Sequence, residues 1–112
     1  MNIDRIVKKF QESHPDEDTT MLYLAYDFAA EAHAGQLRKT GEPYIQHPLH
    51  TAFLLAEIKA DLPTIVAGLI HDVPEDTDRT FEDVQNNFGE EIANLIPAIT
   101  QALKKYLSGV RL

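Results

Sequence analysis

Cysteine is absent from the 112 residues, which excludes a disulfide framework and every cysteine-ligated zinc or iron–sulfur site. Any metal held here must use histidine nitrogen and carboxylate oxygen. Long apolar runs are missing too. The longest reach six residues, as in Ile65–Ile70 with Gly68 counted, far short of the roughly 20 that span a bilayer. The first ten residues, MNIDRIVKKF, mix acid and base without an apolar stretch. No secretory leader is legible there, and a cytosolic address is the simplest expectation. Strand-like alternation is scarce. Bases are scarce where acids crowd: residues 61–91 hold nine acids and one base, Arg79, and so carry the whole net charge of −8. A global basic surface for duplex nucleic acid is thereby excluded.

Apolar residues make up 44% of the chain, which fits a globular class. The length fits one domain, residues 1–112, able to bury about two-thirds of its unfolded surface. The periodicity is helical nearly throughout. Ile3, Ile6, Val7 and Phe10 share a face of a helix over 3–11. Leu22, Ala25, Phe28 or Ala29, and Ala32 stripe a second over 20–36. Residues 37–47, with Gly41 and Pro43, read as a loop. Pro48 starts a third helix over 48–59, where a missing N–H costs nothing. The fourth, over 61–72, is apolar on most sides and is expected at the centre. Pro74 disfavours helical geometry at Val73, so this helix should stop near His71-Asp72. Thr80-Phe81-Glu82-Asp83 has capping-box form and opens a fifth helix over 81–88, closed by Gly89. A sixth over 90–107 should kink at Pro97. The expectation is an all-α bundle of five to six helices. Leu103, Tyr106, Leu107, Val110 and Leu112 are more apolar than a free tail needs, and they suggest cover for an open surface or a homodimer.

Two stretches look chemical. In His71-Asp72-Val73-Pro74-Glu75-Asp76, a histidine and a carboxylate adjoin at the predicted end of an apolar helix. Four acids fall within seven residues (Asp72, Glu75, Asp76 and Asp78), and they would repel in a buried site without a cation. An acidic surface turn with a satisfied histidine explains the same text. His47 shifts the balance, because it closes the Gly/Pro loop and can reach a neighbouring helix end. His47, His71 and Asp72 then offer three ligands from two elements, the pattern of a catalytic metal with open positions. Such an ion brings the pKa of bound water near 7, and Glu75 or Asp76 could orient that water or take its proton. Arg38 and Lys39 suit phosphate or a planar base. The combination reads as metal-assisted attack on a phosphoryl centre. Elsewhere, His33 reads as a core histidine bonded to the loop, His50 as solvent-facing and His14 as a loop residue. Gly41 reads as a turn glycine.

At these residues the sequence resembles the HD superfamily of metal-dependent phosphohydrolases, most closely the hydrolase domain of RelA/SpoT-type alarmone enzymes and their small stand-alone relatives. The matching text is AHAGQLRKTGEPYIQHP (32–48), TIVAGLIHDVPEDT (64–77) and TFEDVQNNFGEEIA (80–93). The resemblance implies an all-α HD fold with His47, His71 and Asp72 as metal ligands, usually for manganese. It implies that Glu75 and Asp76 position or activate water. Arg38 would pack on guanine, with Lys39, Thr40 and Tyr44 nearby. The implied reaction removes the 3′-diphosphate of (p)ppGpp, giving GDP or GTP and pyrophosphate. The partner is then a guanine nucleotide rather than nucleic acid or membrane. The family's fourth ligand is an aspartate on a later helix, and no Asp follows Asp83 here. The resemblance therefore implies a partial HD domain lacking the later helices. Two alternatives stay open: a catalytically incomplete module that binds a nucleotide or a protein, and an HD hydrolase of another nucleotide.

Overall fold

A computed structural model describes residues 1–110, with side chains through Lys105. The helices are α1 (Ile3–Ser13), α2 (Thr20–Ala32), α3 (Gln46–Glu57), α4 (Leu62–Ile70), a single turn α5 (Val73–Asp76), α6 (Phe81–Phe88) and α7 (Glu90–Val110). Among the described residues the only ladder-type pairing is one bridge between Leu37 and Pro43, so the all-α expectation holds. Among the described residues no helix is long and apolar enough to cross a membrane. Tyr106, Leu107, Val110 and Leu112, expected to cover an open surface or to pair two copies, lie outside the residues whose side chains are described.

The core is built around α4. Ile65 through Ile70 are all buried, as an apolar helix must be when other helices cover it on several sides. α2, α3 and α7 pack on it. Gly68 lets α3 come close, since a Cβ there would run into the end of Leu55. Asp61 starts α4 by accepting from the Thr64 N–H at 3.1 Å, which satisfies one of the orphan donors of the first turn. The capping box of α6 is present in both directions, Thr80 with Asp83. Gly89, at φ 90°, ends that helix in a conformation that favours glycine.

Several boundaries differ from the periodicity. α2 stops at Ala32, four residues early. Gly35 takes φ 83°, and the Gln36 carbonyl accepts from the Tyr44 N–H at 2.9 Å. Gln36 thus belongs to a hairpin-like loop closed again by Arg38 N–H to Glu42 O at 2.8 Å. α3 begins at Gln46, so His47 lies in its first turn and Pro48 follows, still where no intrahelical donor is needed. It ends at Glu57, before Lys59 turns to φ 63°. α4 ends at Ile70, and Pro74 sits in the first turn of α5, which the sequence pattern did not foretell. Pro74 is tolerated there because that position lacks an acceptor partner. α7 keeps Pro97 within one continuous helix. His14 follows α1, outside the helix as expected, and stacks on Phe10, ring centroids 4.5 Å apart.

Candidate metal centre

The end of the central helix meets the start of α3. His71 follows the last residue of α4, Asp72 precedes α5, and His47 is the second residue of α3. The apolar residues on both sides of the pair, Leu69, Ile70 and Val73, are fully buried, so the backbone carrying His71 and Asp72 is fixed by core packing. His47, His71 and Asp72 each offer one ligand atom, and these atoms lie within 4.8 Å of one another. His47 Nε2 is 3.3 Å from Asp72 Oδ2, and His71 Nε2 is 3.1 Å from Asp72 Oδ1. Two donors about 2.0–2.1 Å from one ion, at angles of about 90–109°, sit about 2.9–3.4 Å apart. The two histidine–aspartate pairs fall in this range, and the group as a whole could hold a metal ion.

The tautomer of His71 carries the chemistry further. Its Nδ1 donates to the Gly68 carbonyl at 2.7 Å, so Nε2 faces Asp72 with its lone pair unless a proton or a metal lies between. A bare lone pair 3.1 Å from a carboxylate is repulsive. A cation there resolves the contact, and the Gly68 bond is the outer hydrogen bond that orients a ligating histidine. In the metal-free chain a proton takes that place. Burial favours neutral His71, but the hydrogen bond and charge of Asp72 prevail and raise its pKa above the ordinary value. Burial likewise opposes ionisation of Asp72, but the hydrogen bonds from His47 and His71 hold its carboxyl far below the usual carboxylate range.

Tyr44 closes the arrangement from the loop side. Its hydroxyl lies 3.0 Å from Asp72 Oδ2 and 3.1 Å from Asp76 Oδ2. Burial first, and then the charge of Asp72, push its pKa well above the ordinary phenol value, so it stays protonated and donates. His33 is buried as expected. Its Nδ1 pairs with Gln36 Oε1 at 3.0 Å, and its ring lies beneath Tyr44.

A cavity of about 230 Å³ opens beside the donor atoms, bounded by His47, His71, Asp72, Glu75, Thr100 and Lys104 among others. A larger one of about 580 Å³ adjoins it and shares His71, Glu75, Thr100 and Lys104. The first is below the roughly 300–1,000 Å³ that encloses a whole drug-sized ligand, so it suits one end of a substrate. Glu75 thus stands on the wall beside the donor set, and Asp76 reaches it through Tyr44. His50 is exposed as expected, but it also borders the smaller cavity. That role was missed, as were Thr100 and Lys104, because nothing local links α7 to His71. Arg38, Lys39 and Thr40 lie at the exposed tip of the loop. Among the described residues, their side chains make no hydrogen bond or ion pair with the donor set and border neither cavity.

A buried histidine and a part-buried aspartate at a helix end, joined by a second histidine within an all-α bundle, form a group that could hold a metal ion. The chain belongs to the HD domain family, whose model matches residues 25–106. It is 48% identical over 97 residues to the guanosine-3′,5′-bis(diphosphate) 3′-pyrophosphohydrolase of Aquifex aeolicus, covering 86% of this chain and 14% of that protein. It is 44% identical over 87 residues to the bifunctional (p)ppGpp synthase/hydrolase SpoT of Escherichia coli K12, covering 78% of this chain and 12% of that one. The chain thus spans only about an eighth of these curated relatives. Among solved structures, a metazoan ortholog of SpoT described as hydrolyzing ppGpp superposes with TM-score 0.67 at 30% identity, over 74% of this chain and 49% of that one.

Proposed function

We propose that this chain carries the metal-binding half of a (p)ppGpp 3′-pyrophosphohydrolase site, with His47, His71 and Asp72 as ligands of a divalent ion, manganese by preference. The observation that carries the reading is the aim of His71 Nε2, turned toward Asp72 at 3.1 Å by the hydrogen bond from Nδ1 to the Gly68 carbonyl. The names of the relatives support the substrate class. A bound divalent ion supplies positive charge for phosphoryl oxygens and acidifies water.

The protein's own groups do the rest. Glu75, on the cavity wall, accepts a proton from water entering there. Asp76 is held by Tyr44 and Gln36 and orients that water. The resemblance of the loop text to the family assigns the nucleotide to Arg38, Lys39 and Thr40, with guanine against Arg38, while Lys104 is the base that borders the cavities beside the donor set.

The test is pyrophosphate release from ppGpp with Mn²⁺. Wild type is expected to turn over, and His71→Ala and Asp72→Ala to lose activity entirely. Tight Mn²⁺ binding without any pyrophosphate would contradict the hydrolase and support the nucleotide-binding or protein-binding module instead. Self-association belongs to the same reading. Leu54 and Ile58 are exposed beside Leu103 along one groove, and light scattering is expected to give a dimer mass. A monomer mass at every concentration would remove that part.

A further inference from the structure

Tyr44 is joined to more of the site than a residue that merely touches substrate needs to be. Its backbone N–H donates to the Gln36 carbonyl, and its carbonyl accepts from the His47 N–H, both at 2.9 Å. Its ring rests on His33, centroids 4.7 Å apart, and meets the edge of His47 at 5.7 Å. Gln36 below it is oriented without ambiguity. Its Nε2 donates to the Asp76 carbonyl at 2.7 Å, so its Oε1 accepts from His33 Nδ1 at 3.0 Å. His33 Nε2 is buried and has no hydrogen-bond partner among the described residues. A buried polar atom left unpaired is a cost, and here it accompanies the fixing of one ring position and one amide orientation beneath Tyr44.

The phenol has one proton and two carboxylates in reach, Asp72 and Asp76. Without that proton the two like charges would face each other across the hydroxyl's place. Asp72 Oδ2 is also the oxygen that lies beside His47 Nε2, so the hydroxyl bonds to a proposed ligand from outside the ligand set.

We infer that Tyr44 is a positioning residue for the metal site: its hydroxyl, braced from below by Gln36 and His33, sets Asp72 for a divalent cation and holds Asp76 alongside. This rests on the metal reading above. It assigns Tyr44 to the ion's outer shell rather than to the nucleotide. Outer-shell partners of this kind typically change metal affinity about 10–100-fold when removed.

The experiment is calorimetric titration of the whole chain with Mn²⁺ alone, in wild type, Tyr44→Phe and Tyr23→Phe. Tyr23 is the matched control, because its hydroxyl also donates to a carboxylate, Asp4 at 2.8 Å. Tyr44→Phe keeps the ring on His33 and loses only the hydroxyl. Its Mn²⁺ affinity is expected to fall about 10–100-fold, while Tyr23→Phe matches wild type. The rise in melting temperature on adding Mn²⁺, measured from each variant's own metal-free value, is expected to shrink in Tyr44→Phe alone. That difference removes any general loss of stability. Equal Mn²⁺ affinity in wild type and Tyr44→Phe overturns the inference and leaves the metal reading standing. No Mn²⁺ binding by wild type overturns the metal reading and this inference with it.

Discussion

The corner where α3, α4 and α5 meet and the loop over 37–43 both supply residues to the proposed site, but they are built differently. His71 and Asp72 sit between fully buried Ile70 and Val73, and His47 enters beside buried Pro48 and Leu49. Packing the core therefore places the three donors. The loop is held by backbone pairs, Leu37 with Pro43 and Arg38 with Glu42, and its residues from Leu37 to Pro43 are all exposed. Folding alone thus brings together the proposed cation donors. The proposed nucleotide half is a surface element, and functional residues on loops held by a rigid scaffold are common.

That contrast is open to attack at several points. Asp72→Ala should have the largest effect, because it removes the one anionic donor and leaves two histidines. Calorimetry should find Mn²⁺ binding below detection, and binding close to wild type would dissolve the difference between the two regions. Leu69→Ala, in the helix that carries His71, should destabilise the chain by about 2–5 kcal/mol in urea melts. Leu37→Ala, in the loop at 66% exposure, should change it by less than about 0.5 kcal/mol. Arg38→Ala should raise the KM for ppGpp about tenfold, in line with losing one charged hydrogen bond, and leave Mn²⁺ affinity intact. A parallel loss of Mn²⁺ affinity would mean that the loop is part of the donor corner after all.

The smallest effect is on pH dependence. In the metal-free chain the pKa of His71 is raised. Its stabilising contribution is complete below the unfolded value of about 6.5 and is lost as pH rises through the higher folded value. That of Asp72 is lowered, so its contribution is complete above about 3.9 and is lost only as pH falls toward the folded value. Melting temperature with chelator should therefore drop by a few degrees between pH about 6 and about 9. Mn²⁺ should restore it most at the alkaline end, where no proton competes for His71 Nε2. An apo melting temperature that is flat across this range would contradict the proton's role between His71 and Asp72.

Much of this was legible in the sequence, and the exceptions share a cause. The capping box at Thr80 and the stop at Gly89 are local chemistry, and both are where the sequence indicates. The central position of α4 follows from its uniform apolarity. His47, His71 and Asp72 were readable as a possible ligand set because a loop histidine and a helix-end pair need only one tertiary contact to meet. The end of α2 was not readable, because Gln36 leaves the helix to pair with Tyr44, eight residues later in the chain. α5 was hidden because Pro74 reads as a breaker, yet it fits a first turn. The hydroxyl of Tyr44 between Asp72 and Asp76, and the approach of Thr100 and Lys104 to the cavity, depend on packing between distant elements. No periodicity encodes that.

The most direct test of the central claim is anomalous difference density from crystals of the chain soaked in Mn²⁺. The account predicts one strong peak about 2.0–2.3 Å from His47 Nε2, His71 Nε2 and an Asp72 oxygen together, with His71 Nδ1 still on the Gly68 carbonyl. Clear density for all three side chains, with His71 Nε2 still paired to Asp72 and the manganese elsewhere or absent, would contradict it.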